Sequence, residues 1–289
     1  MGTVVSIAAR RQAGAEAGDW EEVFTAAAEA AFETLRQADR IFSTYRPDSP
    51  ISQIRDGRLP LEQLSEHPDG EQIRAVLALS AQLKRESGGA FDIWAVGAPQ
   101  HASQPGLAEP AFDPSGLVKG WAAERASSLL AEAGVPCHSL GAGGDVQVRG
   151  GCSPAGPDGT GAPWRIGVSD PHRAGRLLTV VELADGAVAT SGTAERGAHN
   201  WDPRRGVAAT ALASVTIVGP ELTWADGYAT AAHALGGDDP AALSEVYAWL
   251  RDLAARTGYQ ALVVTRDTDV WWTGGFLEHS PELRRIIGS

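Results

Sequence analysis

Asp226 and Thr230 stand four apart in Trp224-Ala225-Asp226-Gly227-Tyr228-Ala229-Thr230. On a helix, that spacing places a carboxylate and a hydroxyl on one face. Joined by a backbone carbonyl from another segment, the pair makes a hard-oxygen site suited to Mg²⁺. An Asp near a helix start also complements the helix dipole with no ligand at all. Read as ligands, the two belong to a surface cluster and not to the core.

The second chemically loaded stretch is Asp113-Pro114-Ser115-Gly116-Leu117-Val118-Lys119-Gly120, which runs into the alanine-rich Trp121-Ala122-Ala123-Glu124-Arg125-Ala126. An acidic residue, a Pro, a Ser and a Gly ahead of a helical run are how a chain enters a helix whose free backbone N–H groups can receive an anion. Lys119 sits at the mouth of that run and is one of two lysines in the chain, the other being Lys84. A compact ammonium suits a phosphate as a point charge. An N-capped surface helix with a solvated Lys fits the same residues.

Gly141-Ala142-Gly143-Gly144-Asp145 fails as a dinucleotide fingerprint, because its glycines lead into Val146 and Val148 of a strand instead of opening a helix. It reads as a tight turn needing φ > 0, anchored by Asp145. Its bare backbone would also let a flat ring or a phosphate approach. From Ala189 to Gly206 the chain concentrates hydroxyls with His199 and Asp202, and Trp201 lies where an indole could cover a flat ligand. Nucleophile-elbow, P-loop and zinc-protease patterns are absent.

The elements that must position these residues follow from periodicity. A strand is expected at 3–7, buried by its Val and Ile side chains, then an amphipathic helix from Trp20 to Phe42. A short helix follows the polar loop around Tyr45, and another spans Gly70 to Glu86 and stops at Gly88-Gly89. The Lys119 helix runs to about Ala133. Strand pieces flank the glycine turn between 137 and 148, with further strands at 164–168, 177–183, 187–190 and, as one piece, 207–218. Helices at 222–235 and 240–256 precede a hairpin of 261–265 and 270–273 that turns at Asp267-Thr268-Asp269. No repeat and no linker divides the chain, so residues 1–289 read as one domain. Its class is mixed α/β (α+β), with helices laid on a largely antiparallel sheet.

Composition narrows the function classes. With 289 residues, 43% hydrophobic and 21% charged, the chain is long and apolar enough to bury a core. A formal net charge of −12 argues against nonspecific nucleic-acid binding. Cys137 and Cys152 form no framework and no metal-ligand spacing. No apolar run is long enough to span a membrane, and no signal peptide or lipobox is visible, which together predict a cytoplasmic protein, exported only if the sequence is a trimmed piece of a longer one.

Taken in order, these pieces resemble the ApbE family of FAD:protein FMN transferases. The resemblance rests on Met-Gly-Thr at the first strand, Ser-Thr-Tyr-x-x-x-Ser, Gly-Ala-Phe-Asp, Asp-x-x-Gly-x-x-Lys-Gly, Ala-Gly-Gly-Asp, Ala-Thr-Ser-Gly, His-x-x-Asp-Pro and Ala-Asp-x-x-x-Thr. It covers almost the whole chain and implies an ApbE/T-fold-like architecture. By that resemblance Met1, Tyr45, Ala90, Phe91, Asp92, Asp113, Lys119 and Trp201 would contact FAD. Asp226, Thr230 and the Gly116 carbonyl would hold Mg²⁺, with Ala229 adding its own carbonyl.

The implied reaction transfers FMN from FAD to a Ser or Thr hydroxyl of a client flavoprotein and releases AMP. Lys119 would neutralise charge on the pyrophosphate, and Asp145, Asp226 or His199 would take the hydroxyl proton. Alternatives are hydrolysis of FAD to FMN and AMP, or FAD binding without turnover. Trp201 replaces a usual aliphatic residue, Gly141 a usual Asn and Arg205 a usual Thr. The segments between Asp92 and Asp113 and between Ser191 and His199 are short for the family, which would open the site.

Overall fold

The structure, a computed structural model, describes residues 3–11, 17–95, 112–151, 162–193 and 201–287. In chain order, β1 (Val5–Ala9) leads to α1 (Ala17–Phe42), α2 (Pro50–Arg55), α3 (Gly70–Glu86) and α4 (Ser115–Glu132). Strands β2 (His138–Ala142), β3 (Asp145–Arg149), β4 (Trp164–Ser169), β5 (Leu177–Leu183), β6 (Gly186–Gly192), β7 (Trp201–Asp202), β8 (Val207–Ala208) and β9 (Leu212–Gly219) follow. The remainder is α5 (Leu222–Leu235), α6 (Leu243–Thr257), β10 (Gln260–Thr265), β11 (Val270–Trp272), α7 (Phe276–His279) and α8 (Pro281–Ile287). A seven-stranded sheet in the order β1-β2-β3-β6-β9-β10-β11 forms the frame. Every neighbouring pair in it is antiparallel.

Side chains alternate across a strand, so the sheet sorts them into two rows. Ala187 and Ala189 of β6, Val215 and Ile217 of β9, and Ala261 and Val263 of β10 join the core formed with α4 and α5. Val148, Val188, Val218 and Leu262 face the other way and pack with Val168 and Val181 of the β4–β5 hairpin and Phe276 of α7. Alanines in the helix-facing row let α5 lie close on β6.

Helices α4 and α5 are locked together by backbone contact. A Cβ on Gly120 would stand 2.5 Å from Leu222 O and 2.8 Å from Asp226 Cβ, so only glycine fits this crossing. Glu221 at the start of α5 makes no side-chain cap. The free N–H groups of that first turn are met from outside instead. Glu124 of α4 accepts the Thr223 N–H at 2.9 Å and the Thr223 hydroxyl, and Gln147 of β3 accepts the Leu222 N–H at 3.0 Å.

Most expected elements are present, with four differences. The first strand begins at Val5, because its ladder to β2 runs from Val5 opposite Ala142 to Ala9 opposite His138, and Val4 is 83% exposed. The stretch expected as one strand at 207–218 divides. Thr210 and Ala211 give their N–H groups to Gly237 O at 2.7 and 2.9 Å, pulling the chain off the ladder between β8 and β9. The helix expected from 240 starts as a 3₁₀ turn before α6. The short β7, α7 and α8 carry no periodic signal and went unexpected. Among the described residues, no helix is long and apolar enough to cross a membrane.

His138 ties α4 to the sheet and gives the fold a pH dependence. Its Nδ1–H donates to Val135 O at 2.6 Å, which leaves Nε2 to accept the Ser127 hydroxyl at 2.7 Å. Arg149 Nε donates to the same hydroxyl at 3.2 Å, so every group is satisfied with the imidazole neutral. Burial holds its pKa below the ordinary 6.5. The unfolded chain therefore takes up a proton that the folded one refuses, and stability is lost as pH falls below that value. Thermal melts between pH 7 and pH 5 are expected to show the midpoint falling, with a smaller fall in His138→Gln. An equal fall in both proteins would show that other groups carry it.

Candidate active site

Where β3 begins and β6 ends, α4 and α5 bring charged side chains from three elements together. Lys119 of α4 forms an ion pair with Asp145 Oδ2 of β3, and its Nζ lies 3.3 Å from Asp226 Oδ1 of α5. The second oxygen of each carboxylate is held by backbone. Asp145 Oδ1 accepts the Thr190 N–H at 2.9 Å, and Asp226 Oδ2 accepts the Gly120 N–H at 2.8 Å. Burial opposes the Lys119 charge, but the two carboxylates outweigh it, and its pKa is raised. Burial pushes the Asp145 carboxyl up; the Lys119 ammonium opposes this and the Asp226 charge adds to it. Two carboxylates against one ammonium leave the cluster formally one positive charge short, which favours a further cation.

Gly116 and Thr230 supply the oxygens for one. In a regular helix the Gly120 N–H points back at the Gly116 carbonyl. Here it also serves Asp226, and Gly116 O is approached from α5 by Thr230 Oγ1 at 3.4 Å. Neighbouring oxygens around an octahedral Mg²⁺ are about 3 Å apart, from metal–oxygen distances of about 2.1 Å. Carboxylate, hydroxyl and carbonyl are all hard donors, so the residues present fit Mg²⁺. Among the described residues no group of three or more His, Cys, Asp or Glu could hold a metal by itself. Ala229 is wholly buried in the core under α5.

The other expected residues divide. Phe91 Cε2 would meet a Cβ on Gly116 at 3.2 Å, which places Phe91, with buried Ala90, against the start of α4. Asp92 pairs with Lys84 at 2.6 Å and accepts the Trp94 N–H at 3.0 Å. Asp113 donates its N–H to Ile93 O at 2.8 Å, and Trp94 stacks on Phe112 at 4.2 Å. Ala90 to Asp92 and Asp113 thus share one corner with Gly116. Tyr45 is 94% exposed on its loop. Trp201 is half-buried in β7, beside an Asp202 that Arg204 holds from Oδ1 and Oδ2 at 3.1 and 3.0 Å. Met1 and His199 lie outside the described residues.

Three expectations need correcting. Asp226 is not a surface ligand: it is 3% exposed and is the fifth residue of α5, past the turn where a dipole role would place it. Asp145 begins strand β3 and anchors Lys119, while the turn is made by Gly143 and Gly144 at φ 58° and 90°. The anion-receiving role at the start of α4 is taken in part by the chain itself, since Asp113 Oδ1 accepts the Ser115 N–H at 2.8 Å. Ser191, whose Oγ is 3.3 Å from Thr230 Oγ1, went unassigned. Its place after Ala187 and Ala189 in the helix-facing row was the available signal.

Fold and site together define an α+β protein organised around a buried lysine–dicarboxylate cluster with hard oxygen donors beside it. The chain belongs to the ApbE family, whose sequence profile matches residues 1–102 and 99–251. An FAD:protein FMN transferase of Escherichia coli K12 is 22% identical over 300 residues, covering 87% of this chain and 79% of the relative. One from Rhodobacter capsulatus is 31% identical over 202 residues, covering 67% of this chain and 34% of the relative. The flavin transferase ApbE of Vibrio cholerae superposes with a TM-score of 0.70 at 21% identity, covering 96% of each chain. The ApbE protein of Thermotoga maritima superposes at 0.67 and 23% identity, covering 88% of this chain and 91% of that one.

Proposed function

We infer that this chain is an FAD:protein FMN transferase: it moves FMN from FAD to a Ser or Thr hydroxyl of a client flavoprotein, with Mg²⁺, and releases AMP. The observation that carries the reading is the buried Lys119–Asp145–Asp226 cluster beside Thr230 and Gly116 O, in a chain whose relatives bear that name. Residues 1–289 act as one domain in this reading, in a reducing, cytoplasmic setting.

Mg²⁺, when bound, neutralises diphosphate charge and polarises the phosphorus under attack. Asp226, Thr230 and the Gly116 carbonyl would hold it, with the Ala229 carbonyl a further candidate. Lys119 places a fixed positive charge against the diphosphate oxygens. Asp145 anchors that charge through Oδ2 while its Oδ1 holds the Thr190 N–H. Ala90, Phe91, Asp92 and Asp113 bind FAD at the start of α4, with Met1, Tyr45 and Trp201 completing the contacts. The client oxygen bonds to the FMN-side phosphorus, the bridging P–O bond breaks, and AMP leaves with the electron pair. For the hydroxyl proton, Asp145, Asp226 and His199 are the candidate acceptors.

Incubation with FAD and Mg²⁺, with and without a candidate acceptor protein, tests the reaction. AMP with a covalently flavinylated acceptor is expected. AMP with free FMN would indicate hydrolysis, and unchanged FAD a binding protein.

Lys119→Ala is expected to raise the Kd for FAD at least about tenfold, from the loss of one charge-assisted contact. Lys119→Arg, which keeps the charge and the carboxylate pairing, separates a binding loss from a folding loss. Unchanged FAD affinity in folded Lys119→Ala would refute the phosphate role.

A further inference from the structure

Thr230 has one hydroxyl proton, and among the described residues two oxygens lie near its Oγ1. Its Oγ1 lies 3.4 Å from Gly116 O and 3.3 Å from Ser191 Oγ. Both spacings are loose for hydroxyl contacts, which favour about 2.7–2.8 Å. Other hydroxyl pairs in this protein are tighter. Thr190 and Thr216, in the adjoining row of the sheet, stand 2.9 Å apart, and Thr179 and Ser280 stand 2.6 Å apart. Ser191, Thr230 and Gly116 are each only half-buried, at the end of an otherwise closed cluster.

The loose geometry matters if Thr230 gives its oxygen to a cation. The hydroxyl proton cannot then point at Gly116 O, because both oxygens face the same ion. It needs another acceptor, and among the described residues Ser191 Oγ lies 3.3 Å away. β6 is held in place for this: the Asp145 carboxylate fixes the Thr190 N–H, and Ser191 follows at the next position, turned toward α5 by strand alternation.

We propose that Ser191 is a positioning residue that accepts the Thr230 hydroxyl proton and thereby orients the Thr230 oxygen toward Mg²⁺. The proposal rests on the reading of Asp226, Thr230 and Gly116 O as the Mg²⁺ ligands. With its oxygen used as acceptor, the Ser191 O–H is free to donate to a diphosphate oxygen. Outer partners of this kind orient ligands and commonly change metal affinity by about 10–100-fold.

The test titrates Mg²⁺ into the full chain with FAD present, following flavin fluorescence and melting temperature, for the wild type, Ser191→Ala, Ser191→Thr and Thr230→Ala. Ser191→Ala is expected to raise the half-saturating Mg²⁺ concentration about tenfold while leaving the metal-free melting temperature unchanged. Ser191→Thr, which restores a hydroxyl, is expected to recover most of the affinity. Wild-type titration by Ser191→Ala alongside a lost response in Thr230→Ala would overturn this proposal and leave the metal site standing. Equal losses in the Ala and Thr variants would also overturn it, since packing would then be the cause. A wild-type response in Thr230→Ala would bring down the metal reading itself, and this proposal with it.

Discussion

Asp226→Ala is expected to lose Mg²⁺-dependent turnover by about a hundredfold or more, the scale set by removing a charged ligand from a phosphoryl-transfer site. It is also expected to lower stability by about 2–4 kcal/mol, because the carboxylate is structural as well as reactive. Its Oδ2 holds the Gly120 N–H at 2.8 Å and its Oδ1 faces Lys119 at 3.3 Å, inside the α4–α5 contact. Asp226→Asn separates the two roles. An amide oxygen can still accept the Gly120 N–H, so most of the stability is expected to return, but not the turnover. Chemical denaturation and AMP release measured on both variants decide the matter. Full Mg²⁺-dependent activity in Asp226→Asn would remove Asp226 from the metal site.

Gly120→Val is the second large effect, and it acts through the backbone. A Cβ there meets Leu222 O at 2.5 Å and Asp226 Cβ at 2.8 Å, and neither atom is the free end of a flexible side chain. The helices must part, at a cost of about 3 kcal/mol, the upper end of what overpacked cores typically lose. Parting them moves Lys119 and Gly116 on α4 away from Asp226 and Thr230 on α5. Loss of stability and of FAD binding together is the expected result, read from a denaturation curve and a binding isotherm. A variant with wild-type stability would mean that the close crossing is not what sets the site.

How far the sequence reached depended on whether a signal was local. Helices α1 and α3 were legible because their apolar residues recur at helical spacing over several turns, and α4 because an Asp-Pro-Ser-Gly entry precedes its alanine-rich run. The β2–β3 hairpin was legible because Gly143 and Gly144 mark its turn. The division between β8 and β9 was not, since it depends on Gly237 O, which is distant in sequence and close only after folding. The site followed the same rule. Asp226 and Thr230 share a face by spacing alone, but the burial of Asp226 follows from the approach of Gly120 on another helix. Asp145 looked like a turn residue because its two partners, Lys119 and the Thr190 N–H, come from α4 and β6. Ser191 was hidden because a serine ending a strand carries no chemistry until Thr230 is seen beside it.

The central claim is that the Lys119–Asp145–Asp226 cluster, with Thr230 and Gly116 O, is where metal and diphosphate meet. A crystal structure with FAD and Mn²⁺ in place of Mg²⁺, using the anomalous signal of Mn²⁺, tests it most directly. An anomalous peak in contact with Asp226, Thr230 and the Gly116 carbonyl, with the diphosphate between it and Lys119, is the predicted result. A peak or a diphosphate bound elsewhere, with this cluster closed on itself, would contradict the account.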